Sequence, residues 1–324
     1  MFGEPPVDGP QRVGFLLLPK FSLMAFSAAS EPLRVANWLS GKTLYEWWLL
    51  SEDGQAVSAS NNMSCVPNYS IDQIIECDMI IACASFDPER AATKKTINWL
   101  RRMARTGAKL GSLDTGSLVL AAAGLLDNYQ ATIHWENLEV FSEQFPKVDA
   151  RQDIFVIDRN RFTSAGGTAG MDMMLNLISL QHGRDLAVAV AEEFIYTRIR
   201  EASHAQRPHL AERLATANIH VLKAVEIMEA HIEDILKINE IAKMINISQK
   251  ELERLFKRWL KTTPAIYYKR LRMERAWSLL QQTTMSVLEV AISCGYSSQA
   301  HFSRNYRNWH GHTPSIDRRV NKGK

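Results

Sequence analysis

The chain has 324 residues, 46% hydrophobic and 23% charged, with a formal net charge of +3. At roughly 100–200 residues per domain that length holds two domains with an ordinary globular balance. The apolar stretch from Val13 to Leu18 is too short for a membrane span or a signal-peptide core, which excludes a membrane-anchored reading. The four cysteines, Cys65, Cys77, Cys83 and Cys294, show no metal-ligand spacing and no small disulfide framework. Reduced thiols in a cytoplasmic protein are expected, with no metal and no cofactor. The near-neutral total hides an asymmetry: residues 231–324 carry 17 Lys and Arg against 8 Asp and Glu, a net of +9, leaving −6 on residues 1–230. A basic tail domain on an acidic body suits a polyanion-binding module attached to something else.

Residues 12–197 alternate between strand-like and helix-like stretches. Arg12–Leu18 is a buried-type apolar run, and Ser22–Leu39 carries apolar residues at helical spacing. Glu46–Ser51, Asp78–Cys83 and Lys109–Leu113 are short strand candidates, with helices predicted at Pro88–Arg105 and Gly116–Ala123. Phe155–Asp158 and Arg161–Ser164 add two strands, Thr168–Gln181 a long apolar helix, and Leu186–Arg200 a closing helix. This order predicts an α/β domain over residues 1–200, an open parallel sheet with helices on both faces. The polar segment that follows holds Pro208 and no periodic apolar face, so residues 201–218 read as a linker.

Everything after the linker reads helical: Ile219–His231, Ile238–Met244, Gln249–Lys261, Ala265–Gln282, Val287–Ser293 and Ser298–Trp309. These helices contain an internal repeat. Glu240-Ile241-Ala242 matches Glu289-Val290-Ala291 at an offset of 49; beyond the turn the offset becomes 50, pairing Ser248-Gln249 with Ser298-Gln299, Arg254 with Arg304, Phe256 with Tyr306, Trp259 with Trp309 and Thr263-Pro264 with Thr313-Pro314. The extra residue falls near Gly295-Tyr296, at a predicted turn.

Each copy has helix-turn-helix logic, at about residues 238–260 and 287–310. A small residue (Ala242, Ala291) sits where two helices cross, and Asn246 or Gly295 can take the positive φ of the turn. Ser248 or Ser298 then caps a second helix. Leu252, Leu255, Phe256 and Trp259 form its apolar stripe in one copy; Phe302, Tyr306 and Trp309 do so in the other. The helix between the copies, about 18 residues and roughly 27 Å long, can set two recognition helices in successive major grooves. All of this predicts an all-α domain over residues 219–320 that holds double-stranded DNA.

Those motifs carry a resemblance. Ser248-Gln-Lys-Glu-Leu-Glu-Arg-Leu-Phe-Lys257, Thr263-Pro264 and Leu271-Arg-Met-Glu-Arg-Ala276, with Ala291-Ile-Ser-Cys-Gly-Tyr-Ser-Ser-Gln-Ala-His-Phe-Ser-Arg304 and His312-Thr-Pro314, are similar to the DNA-binding domain of the AraC/XylS family. The resemblance implies base readers at Lys250, Arg254, Gln299, Ala300 and Arg304. The chemistry agrees for the polar ones, since Arg pairs bidentately with guanine and Gln with adenine. Lys257, Arg258, Lys269, Arg270 and Arg307 are expected on phosphates, giving salt-dependent affinity without sequence information.

In the α/β region, Lys109-Leu-Gly-Ser-Leu-Asp114-Thr-Gly-Ser-Leu-Val-Leu-Ala-Ala-Ala-Gly124 reads as a strand, a tight turn and a small-residue helix, the pattern of a nucleophile elbow. With Glu31-Pro-Leu-Arg-Val-Ala-Asn37, Thr132-Ile-His-Trp-Glu136 and Ser164-Ala-Gly-Gly-Thr-Ala-Gly-Met-Asp-Met-Met-Leu175 it resembles the class I glutamine amidotransferase-like (ThiJ/PfpI-like) superfamily in the version fused to AraC-type domains in GlxA-type regulators. The resemblance implies a flavodoxin-like fold. Enzymes of that superfamily carry a cysteine at the elbow, where this chain has Asp114 and Thr115; a carboxylate is a poor acyl-transfer nucleophile, so no catalytic residue is expected. A ligand pocket remains, lined by Asp114, Thr115, Gly116, His134 and Trp135, with helix N–H groups for an anion and Asp114 and Trp135 for a cation. Asp114 as a mere helix cap stays open beside it. The resemblance implies a small-molecule effector, an amino acid or a quaternary amine such as betaine or carnitine. It further implies a homodimer, a promoter site and contact with RNA polymerase. An enzyme fused to a DNA-binding domain and an architectural DNA binder are the alternatives.

Overall fold

The computed structural model describes residues 3–6, 8–73, 76–204, 206, 218–283 and 285–322. The chain divides into two compact units, Met1–Arg207 and Pro208–Lys324. The linker expected at 201–218 falls mostly on residues 205 and 207–217, which lie outside the described residues.

In the first unit the elements run β1 (Gln11–Leu17), α1 (Leu23–Ser40), β2 (Tyr45–Ser51), β3 (Val57–Ser58), β4 (Ser64–Cys65), β5 (Tyr69–Ser70), β6 (Met79–Cys83), α2 (Pro88–Ala91) and α3 (Lys94–Arg105). Then come β7 (Lys109–Leu113), α4 (Gly116–Ala122), β8 (Gln130–Thr132), a 3-10 turn (Trp135–Asn137), α5 (Leu138–Gln144), β9 (Asp149–Arg151), β10 (Phe155–Asp158), β11 (Arg161–Ser164), α6 (Ala169–His182) and α7 (Arg184–Glu193). Seven strands make one sheet in the order β10-β11-β7-β6-β1-β2-β5, with every pair parallel except β10 against β11. This is the flavodoxin-like α/β architecture expected from the sequence.

Side chains on a strand alternate between faces, and β1 shows the consequence. Val13, Phe15 and Leu17 join a core with α1, α6 and α7, whereas Leu16 joins one with α3, α4 and α5. Because the sheet is parallel, the segments leaving β1, β6, β7 and β11 converge on its carboxyl edge. There Phe21 bridges to Ser85, and the Asp114 N–H donates to the Ser164 carbonyl over 2.9 Å.

Two helices differ from expectation. The stretch Pro88–Arg105 is α2 and α3, because the Thr93 hydroxyl accepts from the Thr96 N–H and starts α3 afresh. The closing helix stops at Glu193 instead of reaching Arg200: Ile195 takes a φ of 54° and the chain turns back so that Tyr196 and Arg200 meet Asp172 of α6. The short β3–β4 and β8–β9 pairs offer too few residues for any period to show.

The second unit holds helices Ile219–Ala230, Ile238–Met244, Gln249–Leu260, Pro264–Gln282, Val287–Ser293, Gln299–His310 and Pro314–Lys322. The repeat has a structural meaning. Glu240 and Glu289 are the third residues of equivalent helices, and each carboxylate accepts the backbone N–H that precedes its helix, from Lys237 at 2.7 Å and from Ser286 at 2.6 Å. Asn246 and Gly295 take φ of 59° and 72° in the two turns. A side chain at Gly295 would also collide with Ile235, its Cβ lying 2.5 Å from Cδ1. Ala242 is buried in one core with Leu252, Leu255 and Phe256, and its counterpart Ala291 is buried, as are Phe302 and Tyr306. Trp309, expected on the apolar stripe, is 38% exposed. A last helix, unanticipated in the sequence, packs on this copy: its Asp317 accepts from the Tyr306 hydroxyl at 2.5 Å and pairs with His312 at 2.8 Å.

Candidate functional site

Each helix-turn-helix unit presents a polar surface at the start of its second helix. In the first, the Ser248 hydroxyl accepts from the Glu251 N–H at 3.1 Å, leaving Gln249 and Lys250 exposed on the opening turn. Arg254 lies one turn on, and its guanidinium is held by both oxygens of Glu251, at 2.8 and 2.6 Å. Gln249 likewise donates to Glu253 at 2.9 Å. In the second unit Ser298 caps the helix, and Gln299, Ala300 and Arg304 are all exposed. The sequence-assigned readers therefore fall on one short helical stretch in each copy. Of the residues expected on phosphates, Lys257, Arg258, Arg270 and Arg307 are exposed and Lys269 is half-buried. Arg258 lies over the Trp259 ring and Arg270 over Tyr267, at 5.5 and 4.5 Å.

The two copies are braced by a residue that sequence reading passed over. Arg272, on the long helix between them, donates to the carbonyls of Cys294 and Gly295 at 2.7 and 3.1 Å and lies 4.1 Å over the Tyr296 ring. These bonds fix the second unit's turn to the connecting helix. A cleft of about 760 Å³ separates the copies, bordered by Lys237, Gln249, Lys269, Arg272 and His301. The 19 residues from Pro264 to Gln282 give a spacer of roughly 28 Å, close to the ~34 Å between successive major grooves on one face of a duplex.

In the first unit the elbow has the geometry its sequence implied. Asp114 takes a φ of 59° between β7 and α4, a conformation rare for residues with a side chain but tolerated best by Asp and Asn. Gly116 is wedged against β6: a Cβ there would lie 2.2 Å from the Ala82 carbonyl oxygen. Gly116 and Thr115 are buried, and the Thr115 hydroxyl donates to the Ser85 carbonyl at 2.5 Å. Asp114 is 8% exposed. Burial pushes its carboxyl up to about 7 against a hydrogen bond with Ser85; the Glu136 charge raises it further and the Thr115 N–H lowers it.

Beside it stand His134, held below the usual imidazole range by burial despite Glu136, whose carboxylate is 3.7 Å from Nδ1, and Trp135, 40% exposed. Glu136 thus links the two stretches, its charge reaching the Asp114 carboxyl and its carboxylate lying beside His134, whose ring is 5.6 Å from that of Trp135. A thiol does lie near the elbow in space, because Cys83 pairs in register with Leu113. It is fully buried, and burial raises its pKa and keeps it protonated. Among the described residues no group of His, Cys, Asp and Glu is arranged to hold a metal ion, and no helix is long and apolar enough to cross a membrane.

Comparison with known proteins agrees with both halves. Residues 11–180 match the DJ-1/PfpI family and residues 241–319 a helix-turn-helix domain. The HTH-type transcriptional regulator GbdR of Pseudomonas aeruginosa is 45% identical over 317 residues, 98% of this chain and 86% of that one. The HTH-type transcriptional regulator GlxA of Rhizobium meliloti is 37% identical over 312 residues, 95% and 96% of the two chains. A crystal structure of an AraC family transcriptional regulator from Pseudomonas putida superposes with a TM-score of 0.52 at 31% identity, covering 57% of this chain and all of that one. The chain belongs to the GlxA-type regulators of the AraC/XylS family. It is a DNA-binding transcriptional regulator with a DJ-1/PfpI-type domain in front of its helix-turn-helix domain.

Within that family assignment the elbow acquires its meaning. The position that would carry a nucleophile in an enzyme holds a buried carboxyl with a second carboxylate, Glu136, close by. Glu136, whose charge acts on Asp114, was passed over although it sits two positions beyond His134, in the same stretch of sequence. Ser85 was missed because it follows a different strand and reaches the elbow only through the sheet.

Proposed function

We propose that this regulator binds sequence-specific promoter sites through Lys250, Arg254, Gln299, Ala300 and Arg304, and activates transcription in response to a small metabolite, an amino acid or a quaternary amine, whose ammonium group is held at the elbow. Residues 1–200 form the sensing and dimerising domain, residues 201–218 link it, and residues 219–320 hold DNA. The protein acts in the cytoplasm as a homodimer that meets RNA polymerase at the promoter. The observation that carries the effector class is the buried Asp114 carboxyl within reach of the Glu136 charge, with the partly exposed Trp135 next to Glu136 in the chain. Two carboxylates near an aromatic ring attract an ammonium or quaternary ammonium group through charge and through the ring's quadrupole. Amino acids, betaine and carnitine share that group.

Calorimetric titration of the full chain with a panel of amino acids, glycine betaine and L-carnitine tests this. At least one member should bind, and Asp114→Asn should abolish the heat. The pH dependence has a definite sign. A cation favours ionised Asp114, and the free carboxyl titrates near 7. Affinity should therefore rise from pH 6 to 8 with proton release, weakening by up to about tenfold per pH unit on the acid side. No heat from any member, or binding indifferent to pH and to Asp114→Asn, would contradict the reading.

A further inference from the structure

After α7 the chain does not leave the first unit directly. Residues 194–204 and 206 run back across it as a strap, fastened at two places. The first is Asp172, a charged residue with no exposed surface. Its carboxylate accepts from the Arg200 backbone N–H at 2.6 Å, from Arg200 Nε and Nη2 at 3.0 and 2.7 Å, and from the Tyr196 hydroxyl at 3.0 Å. A buried carboxylate this fully satisfied is costly to unmake, because a partner's loss leaves an unpaired charge in the interior. Arg200 Nη2 also reaches the Thr168 hydroxyl at 2.7 Å. The second fastening is Gln206, whose amide donates to the Thr132 hydroxyl at 3.0 Å and to the carbonyls of Ile133 and Asp153 at 2.8 and 3.1 Å.

Both fastenings adjoin the elbow. Thr168 follows Gly166 and Gly167, and Gly166, at a φ of 93°, lies so close that a Cβ on it would stand 2.8 Å from the Asp114 Cβ. Ile133 immediately precedes His134. Thr132 is bonded through its carbonyl to the Ser117 hydroxyl of α4 at 2.6 Å. The strap thus touches two segments that pack against the elbow, 166–168 beside Asp114 and 132–133 beside α4, and it is the last described part of the chain before the segment that joins the helix-turn-helix domain.

We propose that the strap is the regulatory coupler: a change of charge at Asp114 alters its fastening at Thr168 and at Thr132–Ile133, and so alters operator binding. This rests on the reading of the elbow as the effector site. The perturbation that tests it is Asp114→Asn, which needs no effector. The release is Thr168→Val with Gln206→Ala, which leaves the buried Asp172 intact. Hydrogen exchange on the full chain should show protection over 196–204 changed in Asp114→Asn, while α3 is unaltered.

Affinity for a duplex selected by the full chain from a random library should shift by about fivefold or more in Asp114→Asn, and that shift should vanish when the strap is released. Unchanged exchange over the strap, unchanged affinity, or a shift that survives release would each overturn the proposal. A titration with glycine betaine, L-carnitine and amino acids that gave no heat would sink the effector class alone, leaving these outcomes to stand or fall by themselves.

Discussion

The two helix-turn-helix copies share a backbone plan and differ in electrostatics. In the first, the second helix carries Glu251 and Glu253, and these hold Arg254 and Gln249 in contacts within the helix. In the second, Gln299–His310 contains no acidic residue, and Arg304 makes no ion pair among the described residues. The second helix meets a polyanion with its cationic side chain already available. If Arg254 reads a base as proposed, the first must exchange its pair with Glu251 for a base edge, and Glu251 and Glu253 would repel phosphates wherever the fit is poor. On the proposed assignment of readers, affinity is expected to belong mainly to the second copy and discrimination against wrong sequences to the first.

Substitutions in the two copies sharpen or break that contrast. Arg304→Ala should cost the most, about 10–100-fold in affinity for the selected duplex, with preference lost at one base position. Ser248→Ala should lower stability by about 1 kcal/mol through the lost cap, measured as a shift in the urea midpoint. Ser298→Ala should cost less, because its bond to the His301 N–H is 3.5 Å long against 3.1 Å in the first copy. Glu251→Gln should free Arg254 and tighten binding by about two- to threefold while tolerating mismatches better. Lys257→Ala should weaken all sequences alike and reduce the logarithmic salt slope by about one. If Arg254→Ala cost more than Arg304→Ala, the assignment of roles to the copies would be reversed.

What was legible in the sequence depended on contacts local along the chain. Ser248 and Ser298 bond three residues ahead, Asn246 and Gly295 fix their own φ, and the elbow is a strand, a turn and a helix in succession. Alternating apolar runs likewise sufficed for the parallel sheet. The hidden features all join distant residues. Asp172 and Arg200 are 28 positions apart and Arg272 and Cys294 are 22, and nothing local in either segment announces the partner. The break at Ile195 was invisible for the same reason: Leu186–Arg200 has helical spacing, and only the buried carboxylate of Asp172 draws its end away. Asp114 was legible as an oddity at the elbow; the raised carboxyl and its neighbour Glu136 needed the fold.

A hydroxyl-radical footprint of the full chain on its selected duplex bears most directly on DNA being read by two unequal copies. Two protected segments about 10 base pairs apart on one face of the helix are expected for each bound domain. Arg304→Ala should erase protection at one segment, and Arg254→Ala should leave both in place but fainter at the other. Broad protection without that spacing, or a single segment unaffected by either substitution, would contradict it.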